Sequence, residues 1–173
     1  GITMIAKRIH SIAVFLTSEI EKLGYKQLNN HYFDTIRFAL PKHVMREDIE
    51  WLSLELEMNF RYFENGEVGI SIDETTNRED MGWIIEVFAK AANKRWPVIH
   101  EYPEEAEIDE KFARTSQFMT QEVFNKYRSE TEMVRYLKKL EQKDISLTHS
   151  MISLGSCTMK LNAAAEMFPL SWP

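Results

Sequence analysis

The chain is poor in cysteine and glycine, and its histidines are dispersed. It has one cysteine, six glycines and five histidines in 173 residues. A lone thiol excludes a disulfide within the chain and fits a reducing compartment, with the cytoplasm as the default. Glycine stands at about half of its usual ~7 % share, and no glycine builds a phosphate loop. Gly66 and Gly69 lack the neighbours of a dinucleotide fingerprint. The histidines (His10, His31, His43, His100 and His149) stand far apart and match no metal-ligand spacing such as H-E-x-x-H. No G-x-S-x-G nucleophile elbow occurs. No apolar run reaches the length of a membrane-spanning helix, and the first residues do not read as a signal peptide. A formal charge of −6 leaves no electrostatic footprint for nucleic acid or an anionic membrane. Arg135, Lys138 and Lys139 are interleaved with Glu132 and Glu141, the pattern of a solvated helix face. By its own content the chain does not hold a complete active site.

What is present reads as α/β. Ile2, Ile5, Ile9, Ile12, Leu16, Ile20 and Leu23 recur at steps of three or four and predict an amphipathic helix over 2–23, ended by Gly24 at C′. A short strand at 25–29, a turn at Asn29-Asn30-His31 and a strand over 32–40 follow, the last with Ile36, Phe38 and Leu40 alternating against Arg37 and Ala39. Pro41 breaks the sheet and can open a helix over 43–57. Phe60 and Tyr62 form one arm of a hairpin turned at Asn65-Gly66, with Val68, Ile70 and Ile72 on the returning arm. Asn77 caps a helix over 78–93 whose inner face is Met81, Ile84, Ile85 and Phe88. This order predicts a two-layer sandwich with one sheet face covered by helices and at least one antiparallel pair.

Periodicity fades between residues 94 and 129. The segment 101–110 is strongly acidic, and Trp96-Pro97 and Tyr102-Pro103 restrict the backbone. Phe112, Phe118, Met119, Val123 and Phe124 are too apolar for a free tether and are expected to lie against another part of a parent protein. Ser129-Glu-Thr-Glu132 is a capping box that predicts a helix over 130–143 with Met133, Tyr136, Leu137 and Leu140 inward.

The last stretch, 146–167, places Ser156, Cys157, Thr158 and Lys160 just after Gly155, and Asn162 can cap the run Ala163–Met167 before Pro169 stops it. Small donors and one cation beside a helix start suit a carboxylate or phosphate. A capped turn with no ligand is the other reading of the same residues.

The wording of this stretch, Leu154-Gly-Ser-Cys-Thr-Met-Lys-Leu-Asn-Ala-Ala-Ala-Glu-Met167, led by Leu147-Thr-His-Ser-Met-Ile152 and followed by Trp172-Pro173, resembles the glycine decarboxylase family, the P-protein of the glycine cleavage system. Arg114-Thr-Ser-Gln-Phe118, Val123-Phe-Asn-Lys-Tyr127 and Ser129-Glu-Thr-Glu-Met-Val-Arg-Tyr-Leu137 resemble it in the same order, as does the opening from Gly1 to Gly24. The resemblance implies a pyridoxal-phosphate enzyme that decarboxylates glycine, with the cofactor as electron sink, and passes the aminomethyl group to the lipoyl arm of the H-protein. It implies a homodimer or paired half-subunits, and a chain several times longer than this one.

In that frame residues 1–95 are the small domain of the type I pyridoxal-phosphate transferase fold, closing a first half. Residues 96–145 are a linker with one helix, and 146–173 begin a second half. The cofactor-bound lysine belongs to a motif that nothing here matches, so no catalytic residue is assigned and the piece alone is expected to be inactive. Ser156, Cys157, Thr158, Lys160 and Asn162 are the candidates for the mouth of the substrate and cofactor pocket. An anchor joining the second half to the linker is the structural alternative for them. Two positions depart from the family wording: Ser153 stands where proline is expected and Arg128 where histidine is expected. The second puts in doubt any role that needs a titrating imidazole there. Without the resemblance, the chain reads as an α/β regulatory or protein-interaction module with a long linker.

Overall fold

A computed structural model of the chain describes residues 1–96, 98, 99, 103, 105–144 and 168–172. It divides into two compact units, Gly1–Arg114 and Thr115–Pro173.

The first unit is built on helix α1 (Ile2–Lys22). Its apolar stripe is buried from the middle onward: Ile12, Leu16 and Ile20 are fully enclosed, whereas Ile2 and Ile5 at its start remain 60 % and 46 % exposed. The predicted core face therefore holds for the last three turns and runs out into solvent at the first. Gly24 ends the helix with φ +99°, a left-handed conformation that glycine adopts without Cβ strain.

Four short strands follow: β1 (Lys26–Gln27), β2 (Thr35–Ala39), β3 (Arg61–Tyr62) and β4 (Val68–Ser71). They form one antiparallel sheet in the order β1-β2-β4-β3. Helices α2 (Arg46–Glu55) and α3 (Arg78–Ala91) complete the unit. The register pairs Ile36 with Ile70 and Phe38 with Val68, so the inward residues of the two central strands meet and are buried. Against them pack Leu16 and Ile20 of α1, Ile49 of α2, and Met81, Ile85 and Phe88 of α3. Phe88 is the aromatic hub: Tyr25 meets it edge-on at 4.9 Å between centroids, and Phe60 and Phe38 approach within 5.8 and 5.9 Å. Tyr25 spends its hydroxyl on the Phe88 carbonyl oxygen at 2.8 Å. One helix layer on one sheet layer is the sandwich that the order of elements predicts.

Three local details explain the turns. The hairpin has a three-residue loop: Phe63 N–H donates to Glu67 O and Gly66 N–H to Phe63 O, both at 3.0 Å. Gly66 takes φ +82°, the residue that closes such a loop. Asn77 Oδ1 accepts from the N–H groups of Glu79 and Asp80, while Asp80 accepts from Asn77 N–H at 2.7 Å, giving α3 a reciprocal cap. At α2 the predicted start at residue 43 moves to Arg46, after the turn closed by Val44 N–H on Pro41 O.

The second unit holds a short helix α4 (Val123–Lys126), which the fading periodicity does not predict, then α5 (Glu130–Glu141) and a 3-10 turn over Phe168–Ser171. The capping box is present as expected, with Glu132 N–H donating to Ser129 Oγ at 3.2 Å. The inward face assigned to α5 is corrected. Met133, Leu137 and Leu140 are 46 %, 56 % and 38 % exposed, and only Tyr136 is half-buried, stacked on Tyr127 at 4.3 Å. Among the described residues nothing covers that stripe, so its periodicity marks an apolar face and not a filled core. Arg128, where the family wording leads one to expect histidine, donates from Nε to the Asn125 carbonyl oxygen at 2.9 Å, closing the end of α4.

Candidate functional site

All five candidates for the pocket mouth, Ser156, Cys157, Thr158, Lys160 and Asn162, lie outside the described residues, together with Ser153 and the rest of 145–167.

An open groove of about 430 Å³ lies between the β2–α2 connection and the hairpin loop. It carries two cations, Lys42 and Arg46, and two carboxylates, Glu47 and Glu64. Arg46 is spent on Glu47, with Nε at 3.2 Å and a terminal nitrogen at 2.9 Å from the same oxygen. That pair also holds the Glu47 carboxyl below its ordinary range, after the larger effect of a backbone N–H at the helix start. A cofactor with a phosphate, a pyridine ring and a carbonyl needs a cationic cup, a flat contact and a free amine together. The groove has neither an aromatic side chain nor an uncommitted guanidinium, so it does not fit pyridoxal phosphate.

Polar groups in the core are structural. His10 lies almost fully buried on α1; its Nδ1–H donates to the Phe33 carbonyl oxygen at 2.9 Å and its ring stacks on that of Phe33. The bond places the proton of the neutral ring on Nδ1 and ties the helix to the β1–β2 connection. Burial raises the Tyr25 hydroxyl far above the phenol range, with the Asp48 charge adding to it, so it serves as a donor and not as an acid near neutrality. Ser53 and Tyr62 share a hydrogen bond of 2.6 Å that fastens α2 to β3. Asp73 accepts from the Thr75 hydroxyl and N–H and from Thr76, which keeps its carboxyl low and closes the turn before α3. No group of three His, Cys, Asp or Glu side chains able to hold a metal exists among the described residues. No described helix is long and apolar enough to cross a membrane.

The segment 105–112 returns to α1 and to the β1–β2 connection. Ala106 N–H donates to Ser11 Oγ at 2.8 Å, Lys7 meets Glu105 at 2.9 Å, and Lys111 Nζ approaches His31 Nε2 at 3.2 Å. Phe112 sets its ring edge-on to His31, yet remains 57 % exposed. The acidic, apolar character of this stretch was legible in the sequence; its docking on Ser11 was not, because a helical serine that bonds its own i−4 carbonyl gives no sign of a second partner.

Comparison with known proteins identifies what this arrangement is similar to. Residues 1–88 match the family model described as glycine cleavage system P-protein. Over all 173 residues the chain is 56 % identical to a glycine dehydrogenase (decarboxylating) of Bacteroides thetaiotaomicron, covering 18 % of that protein. It is 43 % identical over 178 residues to the enzyme of the same name from Nostoc punctiforme, 99 % of this chain and 18 % of the relative. It is 40 % identical over 174 residues to the mitochondrial one of Homo sapiens, again 99 % of this chain and 17 % of the relative. The chain thus spans less than one fifth of the length of the curated relatives it matches.

Proposed function

The chain belongs to the glycine cleavage system P-protein family, and from that premise we propose that it forms part of a pyridoxal-phosphate-dependent glycine decarboxylase. The parent then releases carbon dioxide from glycine and delivers the aminomethyl group to the lipoyl arm of the H-protein. It does so as a cytoplasmic oxidoreductase working as a homodimer or as paired half-subunits. The observation that carries this reading is an identity of 56 % in a match that spans all 173 residues of the chain.

Within it, residues 1–95 are the small domain of a type I pyridoxal-phosphate fold, 96–145 a linker, and 146–173 the start of a second half. A long first helix and a sheet covered on one side support that assignment. The described residues supply framework. The cofactor, its lysine and the decarboxylation chemistry belong to the remainder of the parent. Ser156, Cys157, Thr158, Lys160 and Asn162 line the mouth of its pocket, and Thr158 and Lys160 contact the glycine carboxylate or the cofactor phosphate. Their support is the chemistry of the stretch: hydroxyls and one ammonium group are the donors that bind such anions.

The test replaces the matching segment of the Bacteroides thetaiotaomicron relative with this chain and measures glycine–carbon dioxide exchange. Exchange within about tenfold of the unmodified enzyme is expected, a change of ~1.4 kcal/mol or less in transition-state binding. A chimera that binds the cofactor normally but exchanges nothing contradicts the proposal. In the same chimera, Thr158→Ala and Lys160→Ala should each raise KM for glycine by about tenfold, the effect of losing a charge-assisted hydrogen bond. An unchanged KM in both removes them from the pocket.

A further inference from the structure

Among the described residues of the first unit, no element covers the sheet face opposite the helices, and that face carries a built arrangement of cations. Alternation along β2 sends Thr35, Arg37 and Ala39 away from the helices, and the register places Arg37 and Arg61 on either side of Gly69. Phe63 fills the gap that the glycine leaves: a Cβ on Gly69 would stand 3.1 Å from Phe63 Cε2. The Arg37 guanidinium lies over that ring at 4.0 Å from its centroid and the Arg61 guanidinium at 5.5 Å. Glu67 pairs with Arg37 and holds it in place. Arg61 on one edge strand and Lys26 on the other are exposed, and neither has a carboxylate partner among the described residues. Thr35 and Ser71 share a hydrogen bond of 3.1 Å across the strands, and together with Gly69 and Ala39 they keep the rest of the face low and flat.

We propose that this face docks an acidic segment of a separate protein chain, laid across the strands, with Arg61 and Lys26 receiving carboxylates and the Phe63 ring as the contact between them. Complementarity of charge commits the choice. In a chain of net charge −6 this face has three cations against two carboxylates, both already used within it: Glu67 pairs with Arg37, and Asp34 accepts from the Thr35 hydroxyl. Spacing selects a polymer over a small anion. Lys26 and Arg61 sit three inter-strand steps apart and two residues out of row, about 16 Å, which a single phosphate cannot bridge and a carboxylate-bearing peptide can. An arginine held against an aromatic ring is preorganised, so less side-chain freedom is lost when it pairs. The inference does not depend on the family reading, and its test involves neither glycine nor pyridoxal phosphate.

The test uses the full 173-residue chain and a fluorescein-labelled deca-glutamate peptide, read by anisotropy at low and moderate salt. Binding that weakens with salt is expected. Arg61→Glu should raise Kd by about tenfold and Lys26→Glu by about threefold, while Lys139→Glu on α5, in the second unit, should change it less than twofold. Gly69→Ala, which pushes the ring aside without altering charge, should raise Kd by about threefold; an unaltered far-ultraviolet spectrum and thermal midpoint exclude unfolding as its cause. Three results overturn the proposal: no binding at low salt, equal effects of Lys139→Glu and Arg61→Glu, or tighter binding of a single-stranded oligonucleotide of matching charge than of the peptide.

Discussion

Helices α1 and α5 carry the same kind of signal and meet different fates. Both space apolar residues by three and four; α1 ends at the predicted Gly24 boundary, and α5 ends at Glu141, two residues before the predicted 143. In α1 the stripe of Ile12, Leu16 and Ile20 is sealed against the sheet and α3, whereas in α5 Met133, Leu137 and Leu140 stay open. The difference teaches that periodicity specifies a face and leaves its occupant unspecified. Within α1 itself the contrast repeats, since Ile2 and Ile5 belong to the same stripe as Ile12 and are not covered among the described residues.

The comparison breaks most easily at the hub of the buried side. Phe88→Ala removes the ring on which Tyr25, Phe38 and Phe60 converge and should cost about 3–5 kcal/mol, enough to unfold a marginal unit; urea denaturation followed by tryptophan fluorescence checks it. A loss under 1 kcal/mol would mean that the first unit does not rest on this cluster. Asn77→Ala removes the cap of α3 and should cost about 1 kcal/mol in the same assay. Leu137→Ala, the counterpart on the open helix, should change stability by less than about 0.5 kcal/mol. A larger cost would show that the α5 stripe is covered in solution.

The smallest expected effect is one of pH. Backbone N–H groups of Arg128 and Ser129, with the Ser129 hydroxyl, hold the Glu132 carboxyl below its ordinary range. A folded-state pKa below the unfolded value stabilises the helix start above the unfolded carboxyl range, near pH 4.3, and that contribution is lost as pH falls through the folded value. Amide protection at the first turn of α5, taken relative to the intrinsic exchange rate at each pH, should therefore fall as pH drops from about 5 to 3, and Glu132→Gln should remove that fall.

Much of the first unit was legible in the sequence. Gly24, Gly66, Asn77 and the Ser129–Glu132 box each announce a terminus by local chemistry, and each acts there as expected. The strands shrank relative to their patterns: 32–40 became Thr35–Ala39, because alternation continues after ladder hydrogen bonds have ended. Strand order, the return of 105–112 onto α1 and the Phe63 platform were illegible, since each depends on residues far apart in sequence meeting in space. For the candidate pocket the residues themselves carried the reading through their resemblance to a family. Ser156, Cys157, Thr158, Lys160 and Asn162 remain an assignment from sequence chemistry and kinship.

The most direct test of the claim that the cofactor lysine lies elsewhere in the parent is a pyridoxal-phosphate titration of this chain, followed by borohydride reduction and peptide mapping. Labelling should be absent or scattered at low yield over exposed lysines. Stoichiometric labelling of one lysine, Lys160 above all, would contradict the claim and place the cofactor site within these 173 residues.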